Sequence, residues 1–195
     1  MKRHISAALV TAGLAFGALQ AQAASLGLPT GAPSLSSSAA FIDYIEFAPD
    51  GDLSTFGAAV DSTDGVSPTG LTEIGFGVGF SLADPTAEAT GGFDVFDEDG
   101  LFLAGDLLAV GFTEDVIEFR FGNLSGSGAG AFGSSVLALI AFDDPLGANP
   151  FDSFADGDFY SASITISNVV PLPAGLALLL GGLGGMALLR RRPGG

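Results

Sequence analysis

Between residues 41 and 166 apolar residues alternate with Gly, Ser or charged residues, the period of strands that bury one face. Residues 72–80 put Ile74, Phe76, Val78 and Phe80 on one face and Gly and Glu on the other. Residues 116–121 place Ile117, Phe119 and Phe121 inward and Glu118 and Arg120 outward, and residues 159–166 alternate Ser and Thr with Tyr160, Ala162, Ile164 and Ile166. Further strands are predicted at 41–47, 54–60, 93–97, 101–103, 107–112 and 136–142. Turn residues separate them: Pro49-Asp50-Gly51, Asp64-Gly65, Glu98-Asp99-Gly100 and Asp144-Pro145. No segment of this region has a helical period. About nine short strands at this spacing predict an all-β fold, a single antiparallel β-sandwich of jelly-roll-like or immunoglobulin-like form. The sandwich domain is expected over residues 40–169. Residues 24–39, rich in Ser, Pro and Gly, read as a flexible leader, and 125–130 as a flexible loop.

Charge narrows the partners. All 22 Asp and Glu lie between Asp43 and Asp158, where Arg120 is the one basic residue, a formal charge of about −21. Nucleic acid and anionic lipid surfaces are excluded, because phosphate contacts need Lys and Arg; cations are favoured. Cysteine is absent, so packing alone must hold the fold. The packing material is aromatic, with 17 Phe in the chain, all but Phe16 in or beyond this region.

The same inventory removes most catalysis. His4 is the one histidine and Lys2 the one lysine, both at the extreme N-terminus, which leaves no Ser-His-Asp or Cys-His arrangement, no Schiff base and no His or Cys zinc site in the domain. The expectation is therefore a non-catalytic protein. A hydrolase working through two carboxylates is the remaining enzymatic alternative, and it would need a cleft with one carboxyl group of raised pKa. Arg120, beside Glu118, is expected in a cross-strand ion pair.

The densest acidic constellation runs from Asp94 through Asp97, Glu98, Asp99 and Gly100 to Asp106. Against an EF-hand loop, Asp97, Asp99, Gly100 and Asp106 take positions 3, 5, 6 and 12, but Val95 occupies position 1. The alternatives are a hairpin turn, or a hairpin Ca²⁺ site using Asp94, Asp97, Asp99 and Asp106. A second acidic region comprises Asp143, Asp144, Asp152, Asp156 and Asp158, and Asn123-Leu124-Ser125 matches a glycosylation sequon.

Both chain ends read as addresses. Lys2, Arg3 and His4 precede an apolar run at 5–19 and an A-x-A site, Ala21-Gln22-Ala23. This is a signal peptide over 1–23, cleaved by signal peptidase so that the mature chain starts at Ala24. At the other end stand Val170, Pro171, Leu172, Pro173 and Ala174, then an apolar run at 175–189, then Arg190, Arg191 and Arg192. As a helix those 15 residues reach about 22 Å against roughly 30 Å of hydrocarbon, a transient rather than a permanent anchor. Gly181 and Gly185 form a GxxxG pair, which fits the glycine-rich character of such tails as well as helix dimerisation.

The tail over 170–195 resembles the PEP-CTERM class of bacterial sorting signals in its Val-Pro-Leu-Pro-Ala variant, matched at Val170, Pro171, Leu172, Pro173 and Ala174. The resemblance implies processing near the proline signature by an exosortase-type membrane protease. It also implies passage through the inner membrane to the cell surface or extracellular polymer matrix. The expected role is that of an exported, non-catalytic surface or biofilm-matrix protein. A Ca²⁺-dependent adhesin or carbohydrate-binding module, with extracellular polysaccharide as partner, is the alternative.

Overall fold

The computed structural model describes residues 25–170. Nine strands follow in order: β1 (Thr30–Phe47), β2 (Asp50–Ala59), β3 (Ser62–Asp64), β4 (Glu73–Ser81), β5 (Thr90–Asp97), β6 (Gly100–Phe112), β7 (Val116–Ser125), β8 (Ser135–Phe142) and β9 (Phe159–Val169). The only α-helical turn among the described residues is α1 (Ala129–Phe132). The expected strands are present, with 101–103 and 107–112 fused into the single bulged strand β6.

The sandwich expectation is corrected to a barrel. The sheet runs β2-β4-β5-β6-β7-β8-β9-β1, and β1 also pairs with β2, so eight antiparallel strands close on themselves. The short β3 extends the pairing along the N-terminal half of β1, through Ser34, Leu35 and Ser36. Sandwich and barrel ask for the same alternation in every strand, so periodicity could not separate them. The deciding element is the 18-residue β1, whose first half lies in the stretch expected to be a flexible leader. That expectation is also corrected: register shifts between Gly31 and Ser34 and between Ser37 and Ala40 bend the strand, and bulges of this kind let one strand serve two neighbours around a closed wall.

Inward residues fill the barrel. Ile42, Leu53, Ile74, Val95, Ile117, Phe119, Phe121, Ile140 and Ile164 are essentially inaccessible, and Phe93 packs on Phe121 with ring centroids 4.7 Å apart. Eight strands enclose a space that side chains can fill completely, and Phe at this density fills it. Phe151 and Phe154, carried by the connection between β8 and β9, plug one mouth against Phe80 and Phe112 and against Tyr44, Phe142 and Tyr160 respectively. The acidic stretch 143–158 is thus an aromatic stopper with its carboxylates outward. At the other mouth α1 packs against β1, β6 and β9 and buries Phe132. An apolar interior with Asp, Ser and Gly on much of the outer wall is the inverse of a membrane-spanning barrel. No helix among the described residues is long and apolar enough to cross a membrane.

The interior therefore carries the stability. Phe119→Ala is expected to cost about 3 to 5 kcal/mol in urea unfolding, whereas Phe56→Ala, at a side chain 86% exposed, is expected to stay within about 0.5 kcal/mol.

Candidate functional site

The filled interior leaves the outer wall as the place for chemistry. On β4 the side chains of Ile74, Phe76, Val78 and Phe80 point inward, so Gly75, Gly77 and Gly79 form a bare outer floor. Antiparallel register sets Asp52 beside Gly79 and Ser54 beside Gly77 on one flank, and Gly92 beside Gly77 and Asp94 beside Gly75 on the other. The floor from Gly75 to Gly79 is about 13 Å long at strand rise. Two hollows of about 300 and 580 Å³ share Gly77 and Asp94, and a third of about 310 Å³ continues over Gly79 to Phe47, Asp50 and Glu88.

Aromatic walls stand over this floor. A register shift between Thr55 and Ala58, with Gly57 at φ +69°, turns Phe56 out to 86% exposure, the re-aiming that a bulge performs. Phe96 stands half exposed on the opposite flank. Carboxylates supply the polar groups. Burial pushes the Asp94 carboxyl above the usual carboxylate range, and burial, reinforced by the charge of Asp43, does the same for Asp52. Glu73 lines the same hollow, while Asp106, over the neighbouring one, accepts a 3.1 Å hydrogen bond from Asn123 Nδ2.

The glycines divide into two kinds. A Cβ on Gly91 would lie 2.1 Å from the Gly77 carbonyl oxygen, and one on Gly92 would lie 2.9 Å from that of Gly105; these positions need glycine for the fold. A Cβ on Gly77 would meet nothing within 4 Å, and one on Gly79 only Asp52 Oδ2 at 3.9 Å. Neither has a positive φ. Strand interiors gain stability from a side chain, so a glycine with free space above it marks a surface that something else approaches.

The residues named as possible Ca²⁺ ligands do not converge. Asp97 closes the hairpin: its Oδ1 accepts from Asp99 N and its Oδ2 from Thr69 N, both at 3.0 Å. Asp99 sits exposed in the two-residue turn between Asp97 and Gly100, while Asp94 and Asp106 belong to the outer groove. Among the described residues no three His, Cys, Asp or Glu side chains are grouped to hold a metal. The expected cross-strand ion pair of Arg120 is also corrected, since its neighbours across the sheet are Ala109 and Leu137 and its Nε is buried without a partner among the described residues, while both oxygens of Glu118 on the same strand accept from Ser25 and Leu26. Val170 is the last described residue; Pro171 to Ala174, Arg190 to Arg192, and Ala21, Ala23 and Ala24 lie outside. No protein family, characterised protein or solved structure matches the chain.

Sequence reasoning named Asp94 and Asp106 but missed Asp52, Ser54, Phe56 and the role of Gly77. The alternating glycines of β4 were visible, yet only register shows which of them lie under open space.

A raised carboxyl pKa costs stability once the group ionises. The cost is absent below both pKa values and grows as pH rises from the unfolded value, about 3.9, through the raised folded one. Asp94→Asn is therefore expected to melt above the wild type at pH 7 and to converge with it below about pH 4, as read by thermal melts across that range.

Proposed function

We propose that this is an exported, non-catalytic protein of the bacterial surface or extracellular matrix that binds a neutral or amine-bearing polysaccharide in the groove over Gly75, Gly77 and Gly79. The destination rests on the two terminal addresses. The binding reading rests on one observation above all: Gly77, unstrained and with open space where a side chain would stand, lies between Ser54 and Gly92, with the carboxylates of Asp52 and Asp94 diagonal to it on the two flanks. A sugar ring offers hydroxyl donors to Asp52, Asp94 and Glu73 and an apolar face to Phe56 or Phe96. A charge of about −21 repels an anionic polymer unless divalent ions bridge it, which is how a Ca²⁺-dependent adhesin would work.

A second reading has its own observation. Glu73 is a diagonal cross-strand neighbour of Asp94, at a Cα separation of about 7 to 8 Å, and Asp94 has the raised pKa that a general acid needs. Binding is preferred because the groove is open to water along the sheet and Arg120 lies away from it on β7, leaving no cation there to orient a substrate. Release of reducing ends from a bound polymer, lost in both Glu73→Gln and Asp94→Asn, would establish the hydrolase.

Gly77→Val separates groove function from folding. A β-branched residue with room above it is expected to stabilise β4 by about 0.5 to 1 kcal/mol while weakening polysaccharide binding at least tenfold. Affinity electrophoresis against a neutral glucan, a deacetylated amino-sugar polymer and a uronate polymer, each with and without Ca²⁺, reads the ligand class. Unchanged binding by Gly77→Val to all three overturns the groove; binding to the uronate polymer alone, and only with Ca²⁺, establishes the adhesin.

The tail is tested separately. Mature protein from surface and matrix fractions is expected to lack Arg190, Arg191 and Arg192 by intact mass, and Pro171→Ala with Pro173→Ala is expected to accumulate precursor in the inner membrane. Wild-type surface protein that still carries the three arginines would make the tail an ordinary anchor.

A further inference from the structure

Large apolar side chains are exposed together on one part of the wall. On β1 the buried Ile42 and Tyr44 point into the barrel, so Phe41, Asp43, Ile45 and Phe47 point out; on β9 the buried Ala162 and Ile164 likewise set Phe159 and Ser161 outward. Register places Phe41 beside Ser161 and Phe159 beside Asp43, which makes Phe159 a diagonal neighbour of both Phe41 and Ile45, within reach of an aromatic side chain. Phe41 and Phe159 are 68% and 69% exposed, and Ile45 and Phe47 are exposed by about half. At about 200 Å² for a fully exposed Phe and somewhat less for Ile, the four side chains offer roughly 450 Å² of contiguous apolar surface. A patch of that size is commonly an interaction site.

Charge decides what can cover it. Strands β8 and β9 contain no charged residue, and neither does β1 before Asp43, whereas β2, β4, β5, β6 and β7 each carry at least one carboxylate. Two copies of a domain with a charge of about −21 repel each other over most of their surface. The repulsion is least on this wall. A cationic partner would be drawn instead to the acidic strands, and an anionic lipid surface finds no Lys or Arg here to hold it.

Area agrees with a second copy. Two facing patches amount to roughly 900 Å² of apolar surface, and at about 56 to 65% apolar the whole contact would bury about 1,400 to 1,600 Å², the size of a stable interface.

We propose that β9 and β1 form the interface of a two-fold homodimer, in which Phe41 and Phe159 of each copy pack on the other. The axis runs near the Phe41–Ser161 pair, which keeps the centre on the uncharged side and leaves Asp43, Glu46 and Asp50 towards the rim. A two-fold axis makes each contact twice, so one apolar patch serves as both halves of the interface. The groove faces away on β4 and β5. The proposal goes beyond the groove reading and rests neither on it nor on the terminal addresses.

Sedimentation velocity of the protein as isolated from cells, at about 1 to 100 μM, is expected to show a monomer–dimer equilibrium that tightens as NaCl rises from about 0.05 to 0.5 M, because salt screens the repulsion between copies. Phe41→Ser with Phe159→Ser is expected to weaken it at least thirtyfold, while Leu108→Ser, at an exposed position on β6 across the barrel from β1, leaves it unchanged. A monomer throughout the range, a dimer that persists in the double variant, or association that weakens with salt overturns the proposal. So does binding of the wild-type monomer to phosphatidylcholine vesicles that the double variant loses, which would make the patch a lipid contact. If the double variant does not fold, cross-linking decides. The chain has no cysteine, so a short bis-maleimide links copies only at an introduced one: linkage in Ser161→Cys and none in Leu108→Cys supports the interface, and any other pattern refutes it.

Discussion

Closure of the sheet through β1 is the constraint from which the other features follow, because β1 must present one edge to β9 along most of its length and divide its other edge between β3 and β2. Closure removes the free edges of the eight barrel strands, through which β-proteins aggregate. It also commits every inward face to one shared interior. With no cysteine to brace it, that interior is filled by aromatic rings and sealed at both mouths, by Phe151 and Phe154 at one end and Phe132 at the other. A filled barrel has no lumen to hold a ligand, which leaves the wall as the place for a candidate site.

The wall must also disperse a large negative charge. Some carboxylates do so by accepting local or cross-chain hydrogen bonds: Asp84 caps a turn, accepting from Thr86 Oγ1 at 2.9 Å and from Thr86 N at 3.2 Å, and Asp61 ties down the bulge of β1, accepting from Ser38 N at 2.7 Å and from the Ser38 hydroxyl. These bonds hold both carboxyls below the usual range, so their contribution is present above the unfolded pKa and is lost as pH falls through the folded one. Asp52 and Asp94 run the opposite way, costing stability as they ionise. Two groups of acids thus pull the pH dependence in opposite directions. The destabilising pair is the one in the groove.

Much of this was legible in the chain. Alternation located the inward faces of β4, β7 and β9 residue by residue, because burial of one face leaves a period of two whatever the sheet does next. The hairpin at Glu98-Asp99-Gly100 was legible too, since turn chemistry is local. Closure was not, because it depends on a Ser-rich segment whose inward residues, Leu35 and Ser37, carry almost no hydrophobic signal. Nor was the groove, since Asp52 and Asp94 are 42 positions apart in sequence and meet β4 from opposite sides only through register.

The glycines of the wall show how far a structural explanation can reach before a functional one is required. Gly91, Gly92 and Gly105 are accounted for by carbonyls of neighbouring strands that would collide with any side chain. Gly75 is an intermediate case, with Asp94 Oδ1 3.1 Å from its absent Cβ, close enough that the carboxylate would have to shift. Gly77 and Gly79 have no such account: the backbone is unstrained, the space is free, and a side chain would strengthen the strand. Keeping them bare lowers the stability of β4 and preserves a flat floor between acidic flanks, and the proposed binding groove is the account that would offset that local cost.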